Sequence, residues 1–295
     1  MNGGSITPEF LGRIPLPQPA NDGDKDQRGR VLVVAGSTSV PGAALLAATA
    51  ALRAGAGKLQ IATCQSIATH LGLAVPEALV IGLPETPSGE IHPGGAVQLR
   101  ERISRCNAVL IGPGMLDDQG VSALTADLLD SDPGPAFVLD AGALGSLTDI
   151  VAVLARHKGR MVITPHAGEM ANLLGVDKDD VQSDPSQVAG QAASLLHCVV
   201  ALKGPCTYIA TPDGATWTYN DGNVGLATSG SGDTLAGIVA GLLARGVSPL
   251  EAAQWGVFLH GEAGNRLARS HGPLGFLARE LLAEIPAIMA DFRVS

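Results

Sequence analysis

The chain has 295 residues, a formal net charge of −9, 46% hydrophobic residues and only 16% charged ones. It can bury a core as one large α/β domain or two small ones, and it is too apolar to be disordered. The acidic balance argues against nucleic-acid binding, and no window reaches the roughly 18 uncharged apolar residues that a membrane span needs. The first residues also lack the pattern of a signal peptide. We therefore expect a cytoplasmic globular protein that binds neither nucleic acid nor membranes.

The cysteines give no sign of a disulfide framework or a metal centre. They form no CxxC pair and no His/Cys cluster with the spacing of zinc ligands. Reduced, mostly buried thiols are the expected state, and no protein metal site is predicted. The four positions are Cys64, Cys106, Cys198 and Cys206.

The chain divides into a short leader and one domain. Residues 1–29 are rich in Pro, Gly and Asp and predict a mobile lead-in, with a docking segment for a partner subunit as the alternative. Residues 30–295 are predicted to form one domain, in which short β-branched runs first alternate with helical stretches. This alternation predicts parallel strands with helices on both faces, and a ligand beyond the carboxyl ends of the strands. The predicted strands are 31–35, 59–63, 78–82, 108–111, 136–140 and 160–164, and the helices 42–54, 95–104, 120–129 and 147–156.

The last third of the chain follows a different pattern. The runs 198–202, 208–210 and 216–219 are separated by turn signals, which favours antiparallel strands. Predicted helices at 233–244, 249–269 and 275–289 complete the chain. The expected architecture is a three-layer α/β/α sandwich with a mostly parallel central sheet and an antiparallel edge.

The strongest chemical signal is the Gly230-Ser-Gly-Asp233 turn before a predicted helix. Small residues at a helix N-terminus leave free N–H groups, and these form an anion site together with the helix dipole. Asp233 is placed to take a proton from a hydroxyl beside that anion. The alternative is structural, with Ser231 or Asp233 simply capping the helix. Neither Ser229 nor Ser231 has a nearby histidine in a nucleophile-elbow setting, which disfavours a serine hydrolase.

Four further loops follow predicted strands. For each of them two interpretations remain open, a ligand contact or an ordinary turn. Residues 36–42 and 112–114 are rich in glycine, although the first lacks the GxGxxG spacing of a dinucleotide fingerprint. Residues 164–169 carry His166 after a proline, and a lone histidine is more often structural. Residues 203–207 offer the cation of Lys203, bare backbone and a hydroxyl, which suit a phosphate or nucleotide.

Taken in order, these segments resemble the ADP/ATP-dependent NAD(P)H-hydrate dehydratases of the ribokinase-like superfamily. The resemblance covers about residues 29–269. One departure is Gly142, where the family usually has a second aspartate after Asp140. The segments that carry it are VVAGS 33–37, PGAA 41–44, AALRAGAG 50–57, GPG 112–114, TPHAGE 164–169, KG 203–204 with Thr207, GLATSGSGD 225–233 and VFLHG 257–261.

The resemblance implies repair of hydrated NADH or NADPH, by phosphorylation of the ring hydroxyl and elimination of phosphate. The implied co-substrate is ADP or ATP, bound with Mg²⁺. The implied pathway partner is a separate NAD(P)H-hydrate epimerase, and the implied assembly is a homo-oligomer, with a tetramer favoured. A ribokinase-like kinase of a small alcohol and a non-catalytic nucleotide-binding subunit are the rival readings. The implied residues are Asp233 as the base, Gly230, Ser231 and Gly232 as the anion hole, Lys203, Gly204, Pro205, Cys206, Thr207 and Gly232 for the nucleotide, and Ala43, Gly114, His166 and Asp233 for the substrate.

Overall fold

The computed structural model describes residues 3–18, 24–116, 119–131 and 134–292. Within them, nine strands form a single sheet in the order β3-β2-β1-β4-β5-β6-β7-β8-β9. All pairings from β3 through β7 are parallel, and β8 and β9 are antiparallel. The strands are β1 Arg30–Val34, β2 Lys58–Cys64, β3 Ala78–Leu83, β4 Ala108–Ile111, β5 Ala136–Leu139, β6 Met161–Ile163, β7 Val199–Leu202, β8 Thr207–Ala210 and β9 Thr216–Tyr219.

Both faces of the sheet are buried under helices. Successive side chains of β1 belong to different apolar clusters, with Val31 and Val33 in one and Leu32 and Val34 in the other. Neighbouring side chains of a strand point to opposite faces, so each face has its own core. The structure thus confirms the predicted three-layer arrangement with a mostly parallel sheet and an antiparallel edge.

Twelve α-helices lie in the described residues. The last three confirm the three helices predicted for the last third of the chain. They are α1 Pro8–Leu11, α2 Pro41–Arg53, α3 Gln65–Ala74, α4 Arg100–Ile103, α5 Gln119–Ser131, α6 Val151–Leu154, α7 Ala167–Leu174, α8 Lys178–Ser183, α9 Pro185–Leu196, α10 Ser231–Ala244, α11 Pro249–His271 and α12 Ala278–Asp291.

Helices α2 and α10 pack backbone against backbone. A Cβ added at Gly237 would lie 2.2 Å from the carbonyl oxygen of Ala47, and one at Gly241 would lie 2.4 Å from that of Ala51. Only glycine permits such a close approach, and it explains why so apolar a chain needs few aromatic residues. The contact also places the first turn of α10 beside the first turns of α2.

Two predicted helices are interrupted. The predicted helix 95–104 is a 3₁₀ turn, Pro93–Gln98, followed by the short α4, because Pro93, Gly94 and Gly95 are poor helix formers. The predicted helix 147–156 is likewise split into 3₁₀ and α segments around α6. Helices α3, α7, α8 and α9 were not predicted.

The leader packs on the domain rather than moving freely. Leu11 is fully buried, the Ile6 N–H donates to Thr218 O at 2.8 Å, and Trp255 Nε1 donates to Ile14 O at 2.8 Å. The mobile lead-in predicted for residues 1–29 is therefore wrong for residues 3–18, whose apolar side chains outweigh the Pro and Gly between them. Residues 1–2 and 19–23 lie outside the described residues. In the described part, no helix has both the length and the apolar character to cross a membrane.

Candidate active site

The carboxyl ends of three adjacent strands bring together a buried ion pair. Lys203 follows β7, Thr164 follows β6 and Asp140 follows β5. The Lys203 ammonium donates to Asp140 Oδ1 at 2.9 Å, and the Thr164 hydroxyl donates to the same oxygen at 2.8 Å. Asp140 is 2% exposed, so this pair is part of the protein interior at the edge where a ligand was predicted. Sequence reasoning assigned no role to Asp140.

Helix α7 adds a second carboxylate beside Lys203. His166 and Glu169 form a capping box, in which the His166 N–H donates to Glu169 Oε2 at 2.7 Å and the Glu169 N–H donates to His166 Nδ1 at 3.0 Å. Glu169 Oε2 then lies 3.8 Å from Lys203 Nζ. Burial lowers the pKa of Lys203, but the charges of Asp140 and Glu169 outweigh it and the pKa is raised. Lys203 therefore stays charged.

The predicted anion turn begins α10 without a side-chain cap. Gly230 is the N-cap residue in the left-handed region, with φ 85°, and it leaves the helix start without a side-chain hydrogen bond. The structural alternative, in which Ser231 or Asp233 caps the helix, is therefore not observed. The Ser231 N–H donates to Thr228 O at 3.2 Å, so one of the three predicted amides already has an acceptor. A Cβ at Gly232 would lie 3.2 Å from Lys203 Nζ, which brings the cation to the open end of the helix.

Asp233 is electrostatically coupled to the lysine cluster. The pKa of the Asp233 carboxyl is raised to about 6. Burial and the charge of Asp140 raise it most, the charge of Lys203 lowers it, and the charge of Glu169 adds a smaller rise. A carboxylate with that pKa is ionised at neutral pH and is a stronger base than an exposed one. Perturbed carboxyls in a cleft are typical of functional sites.

Ser231 also has a histidine partner, contrary to the prediction. Its Oγ lies 2.8 Å from Nε2 of His260, which α11 contributes. Burial, followed by the charge of Lys203, lowers the pKa of His260 to about 4, so the imidazole is neutral at pH 7. His260 lies in the VFLHG segment that contributes to the family resemblance. Nothing in the sequence, however, indicated that its side chain would face the start of α10.

A cavity of about 650 Å³ lies against this cluster. Its lining combines polar residues with the apolar side chains of Val224, Leu226, Leu235 and Val257. Cys206, Gly230 and Asp233 are close in sequence to lining residues but are not part of the wall. The predicted site residues that line it are His166, Lys203, Gly204, Pro205, Thr207, Ser231 and Gly232.

Ala43 and Gly114 lie together, outside that cavity. Gly114 has φ 67°, and a Cβ there would lie 2.6 Å from the Ala43 Cβ and 2.7 Å from Val40 O. Helix α2 links them to the anion turn, since a Cβ at Gly230 would lie 2.4 Å from Leu46 Cδ1. The two predicted substrate positions are thus about one helical turn along α2 from Gly230.

Gly142 occupies a position with no room for a side chain. A Cβ there would lie 2.5 Å from the carbonyl oxygen of Met115. The loop that follows β4 therefore takes the space that an aspartate would need.

Comparison with known proteins identifies the family of the chain. A family model described as NAD(P)H-hydrate dehydratase matches residues 31–287. The ADP-dependent (S)-NAD(P)H-hydrate dehydratase of Xanthomonas campestris is 50% identical over 97% of this chain and 96% of its own.

Solved structures also match this chain in fold. The ADP/ATP-dependent NAD(P)H-hydrate dehydratase of Bacillus subtilis, co-crystallised with ATP and Mg²⁺, superposes with a TM-score of 0.81 at 31% identity, covering 99% of this chain and 100% of that one. A ribokinase-like superfamily protein of Enterococcus faecalis superposes with a TM-score of 0.80 at 23% identity, covering 99% and 97%, and shows the fold alone. The chain therefore belongs to the NAD(P)H-hydrate dehydratase family and has the ribokinase-like fold.

Proposed function

We propose that the chain is an ADP-dependent (S)-NAD(P)H-hydrate dehydratase. The hydroxyl of hydrated NADH or NADPH attacks the terminal phosphorus of ADP, a P–O bond forms, and the P–O bond to AMP breaks. The C–O bond of the ester then breaks, phosphate leaves, an adjacent carbon loses a proton, and the ring double bond reforms. The observation that carries the proposal is the meeting of Lys203, the open start of α10 and Asp233 beside one cavity.

The nucleotide binds in the 650 Å³ cavity. Lys203 would hold the phosphates, since its ammonium already lies at the start of α10. The same cavity is lined by the exposed Gly204 and Pro205 and by Thr207, which offer backbone and a hydroxyl. The apolar side chains of its lining suit a nucleobase. Cys206 belongs to the loop and contributes backbone.

Asp233 acts as the base toward the substrate hydroxyl. Positioned general bases contribute typically about 10²–10⁴-fold to a rate, and most when their pKa lies near the working pH. The amides of Gly230 and Gly232 form the proposed anion hole for the transferred phosphoryl group, and Ser231 belongs to the same turn although its own amide already donates to Thr228 O. Their support is the uncapped start of α10, where the helix dipole favours negative charge.

The hydrated dinucleotide takes the other side of Asp233. Ala43 and Gly114 are its proposed contacts, because their loops adjoin the anion turn through α2, and His166, which lines the cavity, is the third. Glycine at 114 lets a ligand approach the backbone closely.

The residues present fit Mg²⁺ only in company with phosphate. In the described residues there is no group of three or more His, Cys, Asp or Glu arranged to hold a metal. Asp140 and Glu169 do offer hard carboxylate oxygens beside Lys203, and protein-bound Mg²⁺ often keeps one or two carboxylates with phosphates and waters. Asp140 is already paired with Lys203 and Thr164, and neither carboxylate lines the cavity, so the ion would be held chiefly by the phosphates, whose charge it would neutralise when bound.

The setting that we propose is a cytoplasmic homo-oligomer. All four cysteines are free, as suits a reducing compartment. Because the relative acts on the (S) form, a separate epimerase that converts the other epimer is the proposed pathway partner.

The test is incubation with hydrated NADH, Mg²⁺ and ADP, repeated with ATP. We expect the absorbance of NADH to recover, with AMP and phosphate released in equal amounts when ADP is used. A stable phosphorylated product would instead indicate a kinase, and binding without turnover with either nucleotide would indicate a non-catalytic subunit.

A further inference from the structure

The Ser231 hydroxyl is held in an unusual way for a serine in the first turn of a helix. Serine hydroxyls near helix termini commonly hydrogen-bond to nearby backbone groups. Here no side chain caps α10, and the Ser231 Oγ lies 2.8 Å from His260 Nε2 instead. Both residues line the 650 Å³ cavity, so the pair faces the proposed phosphate site.

We infer that His260 is a positioning residue that makes the Ser231 hydroxyl a hydrogen-bond donor to the phosphoryl group in transfer. The inference rests on the proposed function. In this arrangement the Nε2–H of His260 donates to Ser231 Oγ, and the Oγ–H is left to donate into the cavity. Ser231 then contributes to the anion site through its hydroxyl, because its amide already donates to Thr228 O.

The charge around the pair favours this direction. Lys203 and the start of α10 both attract an anion, and an anion accepts hydrogen bonds. With the opposite direction, Ser231 would donate to the imidazole and aim its oxygen lone pairs at the anion. Two hydrogen bonds pointing the same way along a chain also strengthen each other. Burial and the charge of Lys203 keep His260 neutral, so one ring nitrogen donates and the other does not.

The helix packing fixes the distance between the two side chains. A Cβ added at Gly256 would lie 2.6 Å from Val239 Cγ2, so α11 and α10 are in tight contact one turn before His260. On the other side of α11, a Cβ at Gly261 would lie 2.4 Å from the Tyr219 hydroxyl. The backbone of His260 therefore cannot move away from α10 without displacing a packed helix.

The kinetic test compares His260→Leu, Ser231→Ala, the double variant and His260→Gln. Loss of one oxyanion donor costs about 10²–10³-fold in kcat, so we expect about 10²-fold from His260→Leu with little change in the KM for ADP. The double variant should be no slower than Ser231→Ala, because both changes remove one hydrogen bond. His260→Gln, whose amide places an N–H near the position of Nε2, should recover part of the rate.

Two results would overturn the inference while leaving the proposed function intact. One is a His260→Leu kcat within about twofold of that of an active wild type. The other is a double variant that loses the product of the two single effects. Thermal unfolding of each variant checks folding, and His260→Gln supplies the comparison if His260→Leu is unfolded.

A spectroscopic measurement decides the direction without turnover. Nitrogen-15 NMR of the wild type with ADP bound should find His260 protonated at Nε2, with that signal shifted in Ser231→Ala. An Nε2 that carries no proton would contradict the inference even in an active enzyme. Conversely, a wild type that binds ADP but regenerates no NADH refutes the proposed function, whatever the tautomer.

Discussion

The carboxyl edge of the sheet is built in two contrasting ways. Beside β5, β6 and β7 lies a charged half, made of Asp140, Glu169, Lys203 and Asp233, with the neutral His260 next to them. Beside β1 and β4 lies a glycine half, in which the Gly36 N–H donates to Pro113 O and a Cβ at Gly112 would lie 1.8 Å from Asp140 O. One half works through buried charge, and the other through the absence of side chains.

The contrast assigns different work to the two halves. Under the proposed function, the charged half would supply the charge neutralisation and the base that phosphoryl transfer needs. The interlocked glycine turns would in turn allow the bulky dinucleotide substrate to approach the backbone closely. A substitution in the charged half should therefore change the chemical step, and one in the glycine half should change substrate binding.

The largest expected effect is that of Asp233→Asn. We expect kcat to fall about 10²–10⁴-fold, because the amide cannot accept the proton, while the affinity for ADP stays unchanged. NADH recovery and calorimetric ADP titration measure the two quantities. A turnover near that of the wild type would remove Asp233 from the role of base.

The same variant should be more stable than the wild type. Since the pKa of Asp233 is raised to about 6, its stabilising contribution is complete below its unfolded-state pKa near 4 and is lost as the pH rises through 6. At pH 8 Asp233→Asn should gain at most about 3 kcal/mol in the free energy of unfolding. Denaturant unfolding at pH 8 and at pH 4 measures the gain, and an equal gain at both values would contradict the raised pKa.

The next effect concerns stability in the charged half. Lys203→Met leaves Asp140 as an uncompensated buried charge, which costs about 3–5 kcal/mol. Lys58→Met removes an exposed partner of Asp26 and should cost about 0–1 kcal/mol. Urea unfolding compares them, and similar losses would mean that Asp140 is well solvated.

A matched pair of glycines tests the other half. Gly114→Ala forces a Cβ against Ala43 and should destabilise by about 2–3 kcal/mol and raise the KM for the hydrate, with ADP binding unchanged. Gly159 has a similar φ, 70° against 67°, but nothing within 4 Å of an added Cβ. Gly159→Ala should therefore cost only about 1–2 kcal/mol, and equal losses would assign the whole effect to backbone strain.

The smallest expected effect is a shift in the pH profile. The acid limb of kcat/KM should fall near pH 6, where Asp233 becomes protonated. Glu169→Gln removes a negative neighbour but keeps a side chain that can accept the His166 N–H. It should move the limb to lower pH, and a limb that stays in place would mean that Glu169 does not act on Asp233.

The sequence was most informative where one local pattern decides the structure. Alternating strands and helices predicted the parallel sheet, and the run of small residues at 230–232 predicted the start of α10. Asp140 stands beside the departure at Gly142 and His260 lies in the VFLHG segment, but their partners are 63 and 29 residues away along the chain. Only the sheet order and the packing of α11 on α10 bring them together, and no local spacing encodes these. The packing of residues 3–18 on the domain was not predicted for the same reason. Ile14 accepts a hydrogen bond from Trp255, which is 241 residues away along the chain.

The most direct test of the division between the two halves is a crystal structure of Asp233→Asn with ADP and hydrated NADH bound. We predict the terminal phosphate of ADP at the start of α10, within hydrogen-bond distance of Lys203 and Gly232, and the nicotinamide ring beside Gly114. A terminal phosphate in the loop 36–42, with the charged half facing only solvent, would contradict the division.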